Sequence, residues 1–159
     1  MGYHSCPANR MLEKRATHQR STRIFMSSIL IIDDEEDIRD AMQLVLESAG
    51  YEVRIASNGN EAIELQRTEP ADLIITDIIM PEKDGVNTIK EIRQEFPGIR
   101  IIAISGGGGV DLLTYRPEAI KTSAYLSAAE QAGADLTFTK PFERADLIQA
   151  VDKLLKKTH

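Results

Sequence analysis

From Met26 onward the chain alternates short apolar runs with longer stretches of helical period. Ser28–Ile32 is an almost unbroken apolar run, as expected of a strand covered on both faces. Residues 35–49 carry Ile38, Ala41, Met42, Val45 and Ala49 at helical spacing, and Gly50 follows as a stop. Glu52–Ala56 reads as a short second strand. Residues 58–68 read as a helix with Ala62, Ile63 and Gln66 on one side, ended by Pro70. Residues 72–76 predict the third strand. Residues 86–96 place Val86, Ile89, Ile92 and Phe96 on one helical face, closed by Pro97 and Gly98. Residues 99–104 and 136–139 predict the fourth and fifth strands, with a helix between them starting at Ala119 or Thr122 and running to Ala132. Arg144–Lys156 closes the chain as an amphipathic helix with Leu147, Ile148, Val151, Leu154 and Leu155 on its stripe. Lys153, Lys156 and Lys157 suit the C-terminal end of its dipole. The stripe suits core packing, with a dimer seam as the other reading.

Strands separated by helices of this length imply βαβ units and an α/β fold with a parallel sheet. Right-handed crossovers then place helices on both faces. Ligands of such sheets bind at the carboxyl ends of the strands. Asp33 and Asp34 end the first strand, Asp77 the third, Ser105 the fourth and Lys140 the fifth. Carboxylates, a hydroxyl and an ammonium should therefore meet at one edge of the sheet.

Composition narrows the chemistry. The 159 residues suffice for one domain with a real core. The single Cys6 excludes an internal disulfide framework and a cysteine-based zinc site. His4, His18 and His159 all lie near the chain ends, which leaves carboxylate, hydroxyl, lysine and backbone for catalysis. Residues 1–26 hold Arg10, Lys14, Arg15, Arg20 and Arg23 against Glu13, a net of +4. The whole chain carries −6, so residues 27–159 carry −10. A body this acidic repels a phosphate backbone and argues against nucleic acid as its partner. No apolar run reaches the roughly 18 residues of a membrane span. Residues 1–26 lack a clear apolar period and are expected to be a flexible basic tail outside the fold.

Converging carboxylates repel one another, so either their pKa values rise or a cation neutralises them. Magnesium suits a few carboxylates plus phosphate oxygens. With Mg²⁺ present, one carboxylate could attack an activated phosphoryl group and form an aspartyl phosphate. Ser105 and Lys140 could then pair with phosphoryl oxygens, because such transfer depends mostly on positioning and charge neutralisation.

Asp33 and Asp34, the run from Asp77 through Met80-Pro81 to Asp84-Gly85, Ser105, and Lys140-Pro141-Phe142 together resemble the receiver domain of bacterial response regulators. The likeness covers about residues 27–157, and the motifs in order at strand ends are specific. It implies a flavodoxin-like, doubly wound sheet of five parallel strands in the order 2-1-3-4-5, with helices on both faces. It also implies Mg²⁺ and phosphotransfer to Asp77 from a histidine kinase or a histidine phosphotransfer protein. Asp34 and Asp77 would ligate the metal directly, Asp33 would help, and the backbone carbonyl of Ile79 would be a further ligand. Ser105 matches the switch hydroxyl, Lys140 matches the lysine that senses the phosphoryl group, and the bond from Lys140 to Pro141 is expected to be cis. The resemblance further implies a cytoplasmic signalling protein rather than an enzyme. The chain ends just after the last helix, so a stand-alone receiver with a downstream protein partner is the expectation.

Two departures stand out. The switch aromatic of the family sits three residues before the lysine; here that position is Thr137, and Phe138 is out of phase on a strand of period two. Ser105 to Lys140 also spans 35 positions, about a dozen more than the family pattern, beginning with the glycine run from Gly106 to Gly109. That insertion, about residues 106–121, is read as a hinge; it lacks the Gly-Lys-Ser/Thr of a phosphate-cradling loop. Within the receiver reading, a phosphorelay intermediate is the alternative to a terminal switch, and two rival functions from outside that reading remain. A haloacid-dehalogenase-like phosphatase would want its nucleophile on the first strand and an Asp two positions on, where this chain has Glu35. A phosphorylation-independent pseudo-receiver would lose acids that are all present here.

Overall fold

The computed structural model describes residues 26–80, 84–106 and 117–156, with side chains throughout except at 106 and 117–122. The expectations placed on the tail, on the glycine run beyond Gly106 and on Lys157 lie outside the described residues. In chain order the elements are β1 (Ser28–Ile32), α1 (Glu36–Ser48), β2 (Glu52–Ala56), α2 (Gly59–Thr68) and β3 (Leu73–Asp77). There follow α3 (Gly85–Glu95), β4 (Arg100–Gly106), α4 (Pro117–Ala132), β5 (Leu136–Lys140) and α5 (Arg144–Lys156). The strands form one parallel sheet in the order β2-β1-β3-β4-β5. This is the doubly wound α/β architecture that the alternation of patterns predicts.

The period of two in each strand divides the core into two layers. Leu30, Ile32, Ile74, Ile101 and Ala103 point to one face, where Ala62 and Ile63 of α2, Ile89 and Ile92 of α3 and Ala129 of α4 cover them. Ile29, Ile31, Leu73, Ile75, Ile102 and Ile104 point to the other face, against Met42 and Leu46 of α1 and Leu147, Val151 and Leu154 of α5. The stripe of α5 is therefore core. In α1 the buried positions are Met42 and Leu46, while Ala41 and Ala49 are exposed. The stripe is narrower than the sequence spacing implied, and the alanines fall on its solvent-facing flanks.

The helix starts are set by local polar groups. Asn58 accepts a hydrogen bond from the Glu61 N–H at 2.9 Å, and the Glu61 carboxylate returns to the Ser57 N–H at 3.1 Å. Asp84 caps α3 by accepting from the Asn87 N–H at 2.8 Å. The fourth helix starts at Pro117, earlier than Ala119 or Thr122. Proline suits the first helical position, because its φ is preset and its missing N–H has no intrahelical partner there.

Candidate functional site

The sheet order makes β1 and β3 adjacent, with Ile32 paired to Thr76. Asp33 and Asp77, each one step further along, therefore lie side by side. Asp33 is 1% exposed and Asp77 5% exposed, whereas Asp34 is exposed. One carboxylate oxygen from each of the three residues lies within 4.8 Å of the others. On the next strands, Ser105 pairs with Thr139 and Gly106 with Lys140. Lys140 Nζ stands 3.5 Å from Asp33 Oδ2 and 3.5 Å from Asp77 Oδ2. The bond from Lys140 to Pro141 is cis. The strand-end residues named from the sequence thus gather at one edge of the sheet.

The two buried acids are held from the backbone. Asp33 donates its N–H to the Ala56 carbonyl at 3.2 Å, and its Oδ1 accepts the Glu35 N–H at 2.9 Å. Asp77 Oδ1 accepts the Ile79 N–H at 3.3 Å. Ile79 itself is half exposed beside the carboxylate. The Ile78 N–H donates to the Ile104 carbonyl at 3.0 Å, and the Gly85 N–H donates to the Ile78 carbonyl at 2.7 Å. A Cβ on Gly85 would stand 2.2 Å from the Asp77 carbonyl oxygen and 2.6 Å from Ile78 Cα. Only glycine lets α3 start this close to the acid's own backbone.

Burial pushes the Asp77 carboxyl up to about 6. The Lys140 ammonium opposes that shift, Asp33 adds to it, the Ile79 N–H opposes it and Asp34 adds to it. A carboxylate this desolvated and this close to two others suits a cation, and the donor set is all oxygen, as Mg²⁺ prefers. Ser105 Oγ is fully buried and has no hydrogen-bond partner among the described residues. A hydroxyl left unsatisfied inside a protein costs free energy, and this one lies at the strand end that carries the site.

A family model described as the response regulator receiver domain matches residues 29–152. The chain belongs to the response regulator receiver family. It is 35% identical over 129 residues to the chemotaxis protein CheY of Thermotoga maritima, covering 80% of this chain and 97% of that one. It is 34% identical over 130 residues to the alkaline phosphatase synthesis transcriptional regulatory protein PhoP of Bacillus subtilis. That match covers 82% of this receiver but only 49% of PhoP, so the chain spans about half the length of that relative. A putative response regulator from Chloroflexus aurantiacus superposes with a TM-score of 0.69 at 31% identity, covering 82% of this chain and 98% of the other. Receiver domains serve signalling rather than metabolism, and typically hold Mg²⁺ on acidic residues such as those clustered here.

The first departure from the family pattern has a structural counterpart. Phe138 packs against Phe142, ring centroids 5.8 Å apart, on the sheet face covered by α1 and α5. Thr137 lies on the other face, where its Oγ1 donates to Glu130 Oε1 of α4 at 3.3 Å. One residue of the site escaped the sequence reading. Arg39, within the acid-rich start of α1, donates through a guanidinium nitrogen to the Asp33 carbonyl at 2.9 Å. An arginine among the six acids of residues 33–40 is the available signal, and surface charge pairing accounts for that pattern equally well.

Proposed function

We propose that this receiver is a phosphorylation-controlled binding switch with Asp77 as its phosphoryl acceptor. The observation that carries the reading is the meeting of three carboxylates within 4.8 Å, with Lys140 Nζ 3.5 Å from two of them. Asp33, Asp34, Asp77 and the Ile79 carbonyl would hold Mg²⁺. The ion, when bound, would neutralise charge on the carboxylates and on the incoming phosphoryl oxygens. An Asp77 oxygen attacks the phosphorus of a phosphohistidine on a histidine kinase or a phosphotransfer protein. The new P–O bond forms as the P–N bond breaks, and the imidazole nitrogen leaves with the electron pair and takes up a proton.

Lys140, now shared between Asp33 and Asp77, turns to a phosphoryl oxygen. The unpartnered Ser105 hydroxyl donates to another. A buried donor that gains its first hydrogen bond only in the phosphorylated state favours that state. The shift at the end of β4 is passed to α4, with the Thr137 contact to Glu130 standing where the family carries an aromatic ring. A downstream protein then binds the altered surface. Residues 27–159 form the receiver, residues 1–26 stay outside it, and the protein works in the cytoplasm. Its chemistry is limited to its own phosphorylation and dephosphorylation.

Acetyl phosphate with Mg²⁺, followed by intact mass, tests the acceptor. One phosphoryl adduct is expected on the wild type and none on Asp77→Asn. An equal adduct on both proteins, or none on either together with beryllofluoride spectra identical to the free protein, would sink the switch. Many turnovers of p-nitrophenyl phosphate per protein would favour a phosphatase instead.

A further inference from the structure

Asp33 is tied down at every polar atom. Its N–H goes to Ala56, its Oδ1 accepts from Glu35, its Oδ2 faces Lys140, and its carbonyl accepts from Arg39. The last of these stands apart. Arg39 is half buried and surrounded by acids in sequence, yet among the described residues its hydrogen bond goes to a carbonyl rather than to a carboxylate. Its Nε is buried without a partner among the described residues. The side chain is therefore held under the turn that joins β1 to α1 and is not free in solvent. Its charge also reaches the first turn of α2. The Glu61 carboxyl is held below the usual carboxylate range first by the Ser57 hydroxyl and N–H, with Arg39 adding to the effect against burial.

The carbonyl of Asp33 belongs to the peptide plane that carries the N–H of Asp34. Fixing that oxygen fixes the direction in which Asp34 leaves the turn. Asp34 is exposed, so little packing is on hand to orient it. We infer that Arg39 is a positioning residue for the cation site: its guanidinium locks the peptide joining Asp33 to Asp34 and so presents both carboxylates to one ion. The inference rests on the cation site proposed above.

Charge and positioning predict opposite signs, which makes the role separable. If Arg39 were only a positive neighbour, removing it would strengthen cation binding. If it positions the turn, removing it weakens binding, as loss of groups that orient metal ligands does. Mg²⁺ is titrated into the full chain without any phosphodonor, and the backbone amide resonances of residues 33–36 are followed. Arg39→Met is expected to bind Mg²⁺ about tenfold more weakly, and Arg39→Lys to recover most of that loss, since an ammonium can donate to the same carbonyl. The metal-free Met variant should also show displaced or broadened Asp34 and Glu35 amides, with those of α5 unchanged. If the Met variant does not fold, Arg39→Gln gives the same comparison. Wild-type binding with equal or tighter binding in the neutral variants overturns the positioning role alone. A wild type whose amides ignore Mg²⁺ overturns the cation site, and the role of Arg39 with it.

Discussion

Asp77 carries its own cost. Its carboxyl titrates at about 6 in the folded protein against 3.8 for an ordinary aspartate, so the folded state binds this proton more tightly than the unfolded chain does. Stability from this group is complete below about pH 4 and falls as pH rises through about 6. About two units correspond to roughly 3 kcal/mol lost by pH 7 without metal. Asp77→Asn removes the charge, and its urea-unfolding free energy in EDTA should exceed that of the wild type at pH 7 and approach it at pH 4. Parallel curves for the two proteins across that range would show that burial of Asp77 is not what limits stability. Asp33, Asp77 and Lys140 were legible in the sequence, because strand ends of a parallel sheet converge and acids after apolar runs mark them. Arg39 was not, and Gly85 stood in the motif without the reason that requires it. What they do depends on a backbone carbonyl brought close by folding, and neither residue type nor spacing records that approach.

Between elements, one arginine fastens two connections on the sheet edge opposite the acids. Arg93 of α3 donates to the carbonyls of Pro97 at 2.8 Å, Ile99 at 2.7 Å and Gly133 at 2.6 Å. It also pairs with Asp135 at 3.3 Å, whose carboxylate accepts the Ile101 N–H at 2.8 Å. The C-terminal end of α4 is thereby pinned, and Gly133, at φ +126°, supplies the turn that brings its carbonyl to the guanidinium. Arg93→Ala leaves several carbonyls without their donor, and a loss of about 2–3 kcal/mol in urea unfolding is expected. Arg93→Lys should recover less than half, because a single ammonium cannot serve carbonyls spread across a planar fork. A lysine variant as stable as the wild type would mean that one bond carries the effect. At this scale most elements could be read from the sequence, since strands buried on both faces and helices with one apolar stripe have distinct periods. The start of α4 could not. Among its described side chains, Leu126, Ala129 and Ala132 pack on the core, and alanine and serine elsewhere along it blur the stripe.

The doubly wound order puts the acidic strands β1 and β3 next to each other within the sheet. Ile29, Ile31, Ile74 and Ile75 are fully buried, so the strand ends cannot move apart to relieve repulsion among the carboxylates. The fold thus holds a charge cluster that the folded state tolerates poorly and a cation can neutralise. Binding to the folded form alone stabilises it by mass action, about 1.4 kcal/mol at ten times the dissociation constant. The unfolded chain separates Asp33 and Asp77 by over forty positions, so it offers the ion no comparable site. Mg²⁺ should therefore raise the melting temperature of the wild type in a saturable way at constant ionic strength. Asp34→Asn should flatten that response while leaving the metal-free fold intact, because Asp34 is the exposed member of the three. Ca²⁺, which tolerates larger and less regular oxygen shells, serves as the comparison ion. A rise that NaCl reproduces at matched ionic strength would assign the effect to general screening of the −10 carried by residues 27–159. A rise specific to the divalent ion and lost with Asp34 would tie it to the mouth of the sheet.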